Sequence, residues 1–264
     1  GLLNTETIGS VTISYGIGAL GTASVGTYTN SVTVSAATGG TFTSSNYSIT
    51  YIPNTLSVTQ APLTITAQPQ TKVYGSSIST TGVFGSTYSV TGLQNTDAAG
   101  TLSLTYSGSP SGESSTASVG TYTITASGIS LSQGDLNNYA ISYVTGVLTV
   151  TSAPLTVTAQ PQTKVYGGTV SMTGTLDVNY TATGFVNGEE AGTLSLTYGG
   201  GELTTASVGT YTITASGLTM GATGSLSNYS ISYVSGVLTV TSAPLTVTAL
   251  PQSKVYGSGV SMSG

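Results

Sequence analysis

One block of fifteen residues occurs three times along the chain. Ala61 to Gly75 reads APLTITAQPQTKVYG, Ala153 to Gly167 reads APLTVTAQPQTKVYG, and Ala243 to Gly257 reads APLTVTALPQSKVYG. Their lysines, Lys72, Lys164 and Lys254, stand 92 and 90 residues apart. Self-similarity at a fixed step marks a chain built from one structural unit used again and again. Other columns keep the same step. Ala-Ser-Val-Gly-Thr-Tyr-Thr begins at Ala23, Ala117 and Ala206, and Asn-Tyr stands at Asn46, Asn138 and Asn228. Gly-Thr-Leu-Ser-Leu-Thr-Tyr begins at Gly100 and Gly192, with a relative at Gly9. All 17 tyrosines fall in recurring columns.

The register divides the chain into a partial repeat 1–60 that lacks its first strands, whole repeats 61–152 and 153–242, and a segment 243–264 that opens a further repeat. Two readings of this arrangement stand. The chain is a window on a longer array, or the tail of one copy completes the open head of the next by strand addition.

Within a repeat, apolar residues alternate with Thr and Ser, the period-2 pattern of a half-buried strand. About seven strands are expected in 61–152. Pro62 to Ala67 sets Leu63, Ile65 and Ala67 on one face, and Pro69 makes the strand bend or switch sheets before it continues through Thr71 to Tyr74. Tyr88 to Thr91 is short. Thr101 to Tyr106 points Leu102, Leu104 and Tyr106 inward. Tyr122 to Ala126 and Tyr139 to Val144 follow, the latter with Tyr139, Ile141 and Tyr143 toward the core. Val147 to Thr151 closes the unit after a two-residue hairpin turn at Thr145-Gly146; in the first repeat that turn is Pro53-Asn54. The fold class is therefore all-β: tandem immunoglobulin-like β-sandwiches of about ninety residues. A proline-bearing linker of about three residues, Ser152-Ala153-Pro154, predicts an elongated, stiff rod. Tyr122, in Val119-Gly120-Thr121-Tyr122, is either a tyrosine corner, its hydroxyl bonded back to nearby backbone, or a plain core residue.

Composition excludes several functions. Charged residues make up 4% of the chain, and Lys and Arg together number 3 against 8 acids. A phosphate backbone needs clustered cations, so nucleic acid is excluded as a partner. With no His and no Cys, the usual bases and thiolate nucleophiles are missing, and no enzyme activity or cofactor is expected. The acids are scattered; Glu189-Glu190, an adjacent pair, reads as an exposed turn, and no metal site is expected. No apolar run is long enough to cross a bilayer. Absence of cysteine also fits an extracellular bacterial location without requiring it.

The Lys-Val-Tyr-Gly opening, the Val-Gly-Thr-Tyr block and the closing Asn-Tyr-x-Ile-Ser-Tyr-Val-x-Gly-x-Leu-Thr-Val resemble the MBG domains of the YGX type. These are immunoglobulin-like repeats of large bacterial surface and secreted adhesins. The chain departs from that pattern in lacking acidic or Asn-Pro residues just after Tyr-Gly. The resemblance implies a structural or adhesive module of a cell-surface stalk or fibre.

One constellation stands out. Lys72, Asp97 and Asn138 in the first whole repeat match Lys164, Glu189 and Asn228 in the second, with Glu6 as the acid of the first fragment. In a chain this poor in charge, the repeated lysine and acid invite a salt bridge of small net value. A sharper reading is a Lys–Asn isopeptide crosslink assisted by a buried acid. The hydroxyl-rich strand faces have few of the lysines and prolines that usually guard edges, so lateral association of copies is a further expectation. A ligand-binding module for a glycan or host surface is the alternative function. The variable stretches 107–116 and 199–205 carry no aromatic residue, which favours a spacer.

Overall fold

A computed structural model describes residues 1–260, and residues 261–264 of the last segment lie outside the described residues. By contacts the chain forms two compact units, Gly1–Ser152 and Ala153–Gly264.

The first unit begins with a three-stranded antiparallel sheet, β1 (Ile8–Tyr15), β2 (Gly26–Gly40) and β3 (Asn54–Val58), in the order β1-β2-β3. The complete repeat follows with β4 (Ala61–Ala67), β5 (Gln70–Val73), β6 (Thr81–Val83), β7 (Tyr88–Thr91), β8 (Ala98–Ala99), β9 (Thr101–Tyr106), β10 (Gly120–Ser127), β11 (Leu131–Gln133), β12 (Tyr139–Val144) and β13 (Gly146–Thr151). One layer is a five-stranded sheet, β5-β13-β10-β9-β6, and the other a three-stranded sheet, β12-β4-β7. Strands β8 and β11 form a small ribbon of their own.

The opening segment works in both layers. β4 runs parallel to β12 in the smaller sheet, and β5, just past Pro69, runs parallel to β13 in the larger one. The proline is the sheet switch that its position in the sequence predicts. β4 also packs across β10 and β13 of the opposite layer. Its inward residues Leu63, Ile65 and Ala67 are fully buried, as are Leu104, Ile124, Leu148 and Val150 facing them from the larger sheet. Alternation at period 2 puts the threonines of these strands outside.

Two expectations are corrected. Thr145-Gly146 is not a hairpin turn, because β12 and β13 belong to different sheets. The chain switches layers there, beside the switch at Pro69. Gly146 is needed for that crossing: a Cβ would stand 2.6 Å from the Ala67 carbonyl oxygen. Ile141 and Tyr143 are exposed rather than core residues. β12 is the outer strand of its sheet, so nothing beyond it covers them.

The second unit repeats this plan with β14 (Ala153–Ala159), β15 (Gln162–Val165), β16 (Thr173–Gly174), β17 (Tyr180–Thr183), β18 (Leu194–Thr197), β19 (Gly209–Ser216), β20 (Tyr229–Val234) and β21 (Gly236–Thr241). Its sheets are β15-β21-β19-β18-β16 and β17-β14-β20. Residues 243–260 carry the sequence of an opening strand pair but form no strand, because the strands that hold such a pair lie downstream of it in each complete repeat.

Residues 1–60 show the same dependence from the other side. They have no counterpart of β4 or β5. Residues 47–52, the counterpart of β12, are accordingly not a strand. Val11, Ile13 and Tyr15 are 44, 49 and 59% exposed, whereas Leu102, Leu104 and Tyr106 in the same columns are 4, 1 and 6% exposed.

Candidate functional site

In the first whole repeat the lysine, the acid and the asparagine each bond a partner outside the trio. Lys72 is buried on β5. Its ammonium donates to the carbonyl of Ser76 at 2.9 Å and to that of Ser114, in the loop between β9 and β10. Lys164 does the same with Gly168, at 3.2 Å, and with Leu203. The lysine thus pins the loop that precedes the tyrosine block to the strand that opens the domain. Burial lowers the Lys72 pKa, and the field of Glu113 partly offsets that.

The acids serve tyrosines. Tyr139 donates to Asp97 Oδ2 at 2.6 Å and accepts from the Gln94 amide at 2.9 Å. Tyr229 donates to Glu189 Oε2 at 2.6 Å and accepts from the Val186 amide at 3.2 Å. Tyr47 donates to Glu6 and accepts from the Leu3 amide. Burial, then the Asp97 carboxylate, raises the Tyr139 pKa. For Tyr47 the hydrogen bond to Glu6 is the largest cause of its upward shift.

The asparagine serves a joint. Asn138 Oδ1 accepts from the Val25 amide at 2.8 Å, which ties the complete repeat to the fragment before it. Asn95, at φ +53°, donates through Nδ2 to the Gly21 carbonyl at 3.2 Å, and Gln60 Nε2 donates to the Asn137 carbonyl at 3.1 Å. Between them lies a cleft of about 220 Å³ lined by Thr22, Gln94, Asp97 and Tyr139 among others. Asn228, in the same column, is buried. Asp97 and Asn138 therefore share the cleft at the joint while bonding different partners, and Lys72 is engaged elsewhere, at the loop before the tyrosine block.

The other tyrosine columns have fixed uses too. Tyr28, Tyr122 and Tyr211 donate to the carbonyls of Ser24, Ser118 and Ser207 at 2.8, 2.8 and 3.0 Å, so the tyrosine-corner reading is the correct one. Tyr51, Tyr143 and Tyr233 accept from the backbone amides of Ala37, Ile129 and Leu218. Tyr106 and Tyr198 donate to Ser79 and Ser171 carbonyls at 3.1 and 2.6 Å. The recurrence of acid and Asn-Tyr columns at one step was the signal for the tyrosine–acid pairs. Attention to charge alone pointed to the lysine instead.

Among the described residues, no group of three His, Cys, Asp or Glu side chains is placed to hold a metal. No helix among them is long and apolar enough to cross a membrane. What the repeated polar side chains do is hold backbone: loops to strands, and one module to the next.

No curated protein matches the chain, and no solved structure does. The family model described as MBG domain (YGX type) matches residues 63–149 and 155–239, about two thirds of the chain. Each match covers one complete repeat, from β4 to β13 and from β14 to β21. The chain belongs to the MBG domain (YGX type) family, of which it carries two tandem copies.

Proposed function

We propose that the chain is a structural region of an extracellular bacterial surface protein or fibre, a stiff stalk of successive modules that is not an enzyme. The observation that carries this is the use of the repeated polar residues. Lys72, Asp97, Asn138 and the tyrosines described above are spent on fixing loops and the joint, each bonded to the chain's own backbone or side chains. The Gln60, Asn95 and Asn138 bonds give the joint more than a covalent tether, which is what a spacer needs to resist bending. Electron microscopy of tandem arrays tests it. Contour length should grow by a constant increment per added repeat, with few bends; compact or freely jointed particles overturn it.

The glycan-binding alternative has one supporting feature, the cleft at the joint with its Gln94, Asp97 and Thr22 lining. Glycan-array binding that is lost in Asp97→Ala would favour it over the spacer.

A further inference from the structure

The chain has ten asparagines, and Asn187 is the one followed by glycine. We propose that Asn187-Gly188 is a site of spontaneous modification, where asparagine converts to isoaspartate and unlocks the tyrosine–acid clasp of the second repeat. The pair forms the tip of the turn Val186 to Glu189, in the connection between β17 and β18. The Glu189 amide donates to the Val186 carbonyl at 3.0 Å and closes the turn. Asn187 and Gly188 stand at φ +56° and +73°. Left-handed backbone at both central positions is what asparagine and glycine tolerate best, so the turn suits this dipeptide. The same dipeptide readily closes a ring between its side-chain amide and the next backbone nitrogen, since glycine has no Cβ to crowd the approach.

Placement favours the reaction. Both residues are exposed. A Cβ built on Gly188 meets nothing within 4 Å, so the space on that side is open. The bond that closes the turn uses the Glu189 amide and leaves that of Gly188 outside it. Water is the only co-reactant. The Gly188 nitrogen loses its proton and bonds to Asn187 Cγ, the Cγ–Nδ2 bond breaks, and ammonia leaves with that proton. Water then opens the succinimide. Opening at Cγ gives aspartate. Opening at the main-chain carbonyl gives isoaspartate, whose backbone runs through Cβ and is one carbon longer.

The turn holds Tyr229 from both of its ends. The Val186 amide donates to the Tyr229 hydroxyl at 3.2 Å, and that hydroxyl donates to Glu189 Oε2 at 2.6 Å. The two bonds start on either side of Asn187-Gly188, so an added carbon between them pulls one out of place. Tyr229 also packs edge-on against Phe185, with ring centroids 5.2 Å apart, so the loosening reaches that contact. The first whole repeat has the same clasp without the glycine. There Gln94 and Asp97 hold Tyr139, and the Asp97 amide closes the turn on the Gln94 carbonyl at 3.0 Å. Asn95 is followed by Thr96, which has a branched Cβ and whose hydroxyl accepts from Gln133 Nε2 at 2.9 Å. The clasp of the second repeat therefore ages and that of the first does not.

The test is storage of the folded 264-residue chain at mildly alkaline pH, followed by peptide mapping. From the sequence mass in the fresh chain, the Asn187 peptide should gain the difference between O and NH well before the Asn95 peptide does. In the isoaspartate fraction, isolated by chromatography, the Val186 amide should exchange hydrogen several-fold faster than in fresh chain, with the Gln94 amide unchanged. Asn187→Asp adds the charge without the carbon and should leave the Val186 amide protected. An unchanged Asn187, or Asn95 converting as fast, overturns the site. Val186 protection that survives isoaspartate, or is lost equally in Asn187→Asp, overturns the unlocking.

Discussion

Residues 9–15 and residues 100–106 follow the same alternation, in the same column of the repeat, and meet opposite fates. Both form an antiparallel strand. Only the second is buried, because β4 lies across the opposite layer of its domain. The difference teaches that the alternating pattern specifies a strand and its inward face, while burial is specified by a segment about forty residues away. Each fully buried Leu or Ile is worth about 1.5–3 kcal/mol over an exposed one. A repeat without its opening strands therefore forgoes several such terms at once.

The comparison can be broken by mutation. Leu104→Ala should destabilise the complete repeat by about 2–5 kcal/mol, as core truncations do. Ile13→Ala, in the same column of the head, should cost under about 1 kcal/mol. Urea denaturation of the chain ending at Ser242, followed by tyrosine fluorescence, checks both; equal costs would remove the distinction.

The lysine column sharpens it. Lys72→Ala takes the ammonium away from the Ser76 carbonyl and from the Ser114 carbonyl, which keeps the Ala117 amide, and should cost about 1–3 kcal/mol. Faster proteolysis within 107–116 would show that the loop is released. The tyrosine corner gives a smaller effect that should not distinguish the regions. Tyr122→Phe and Tyr28→Phe each remove one bond to a carbonyl four residues back, for about 0.5–1.5 kcal/mol apiece.

Alkaline pH offers a further reading. Burial raises the pKa of Tyr88, Tyr106, Tyr139, Tyr180 and Tyr198, so each stays neutral in the folded state above the pH at which the unfolded chain ionises. Their stabilisation is complete below about pH 10, the ordinary tyrosine value, and is lost as pH rises toward their folded values. Lys72 works in the opposite direction, since its pKa is lowered and stability rises with pH between its folded and ordinary values. Five tyrosines against one lysine should give a net loss above about pH 10. Tyrosinate absorbance should rise in two phases, the later one coinciding with unfolding. The smallest expected effect is none. Because Lys72 and Asn138 are engaged at separate places, intact mass should equal the sequence mass, with no ammonia lost to a crosslink.

Much of this fold is legible in the sequence. The bounds of Tyr88–Thr91, Thr101–Tyr106 and Tyr139–Val144 are readable to the residue from the turn signals around them, and in Thr101–Tyr106 clean alternation also fixes the inward face. Strands β6, β8 and β11 are too short, at two or three residues, to show a period. The switch at Thr145-Gly146 looks like a hairpin because a two-residue turn and a layer crossing use the same small residues. Only the approach of the Ala67 carbonyl tells them apart. The site was half legible. Recurrence of Lys72, Asp97 and Asn138 marked them as structurally important, but spacing along a chain does not say which side chains meet. In a β-sandwich the partners come from other strands, so Asp97 meets Tyr139, Asn138 meets Val25, and Lys72 meets two carbonyls.

Hydrogen exchange on the chain ending at Ser242 tests most directly that the opening strand pair is what closes each domain. The backbone amides of Leu102–Tyr106 should exchange orders of magnitude more slowly than those of Val11–Tyr15. Equal protection of the two strands would contradict it.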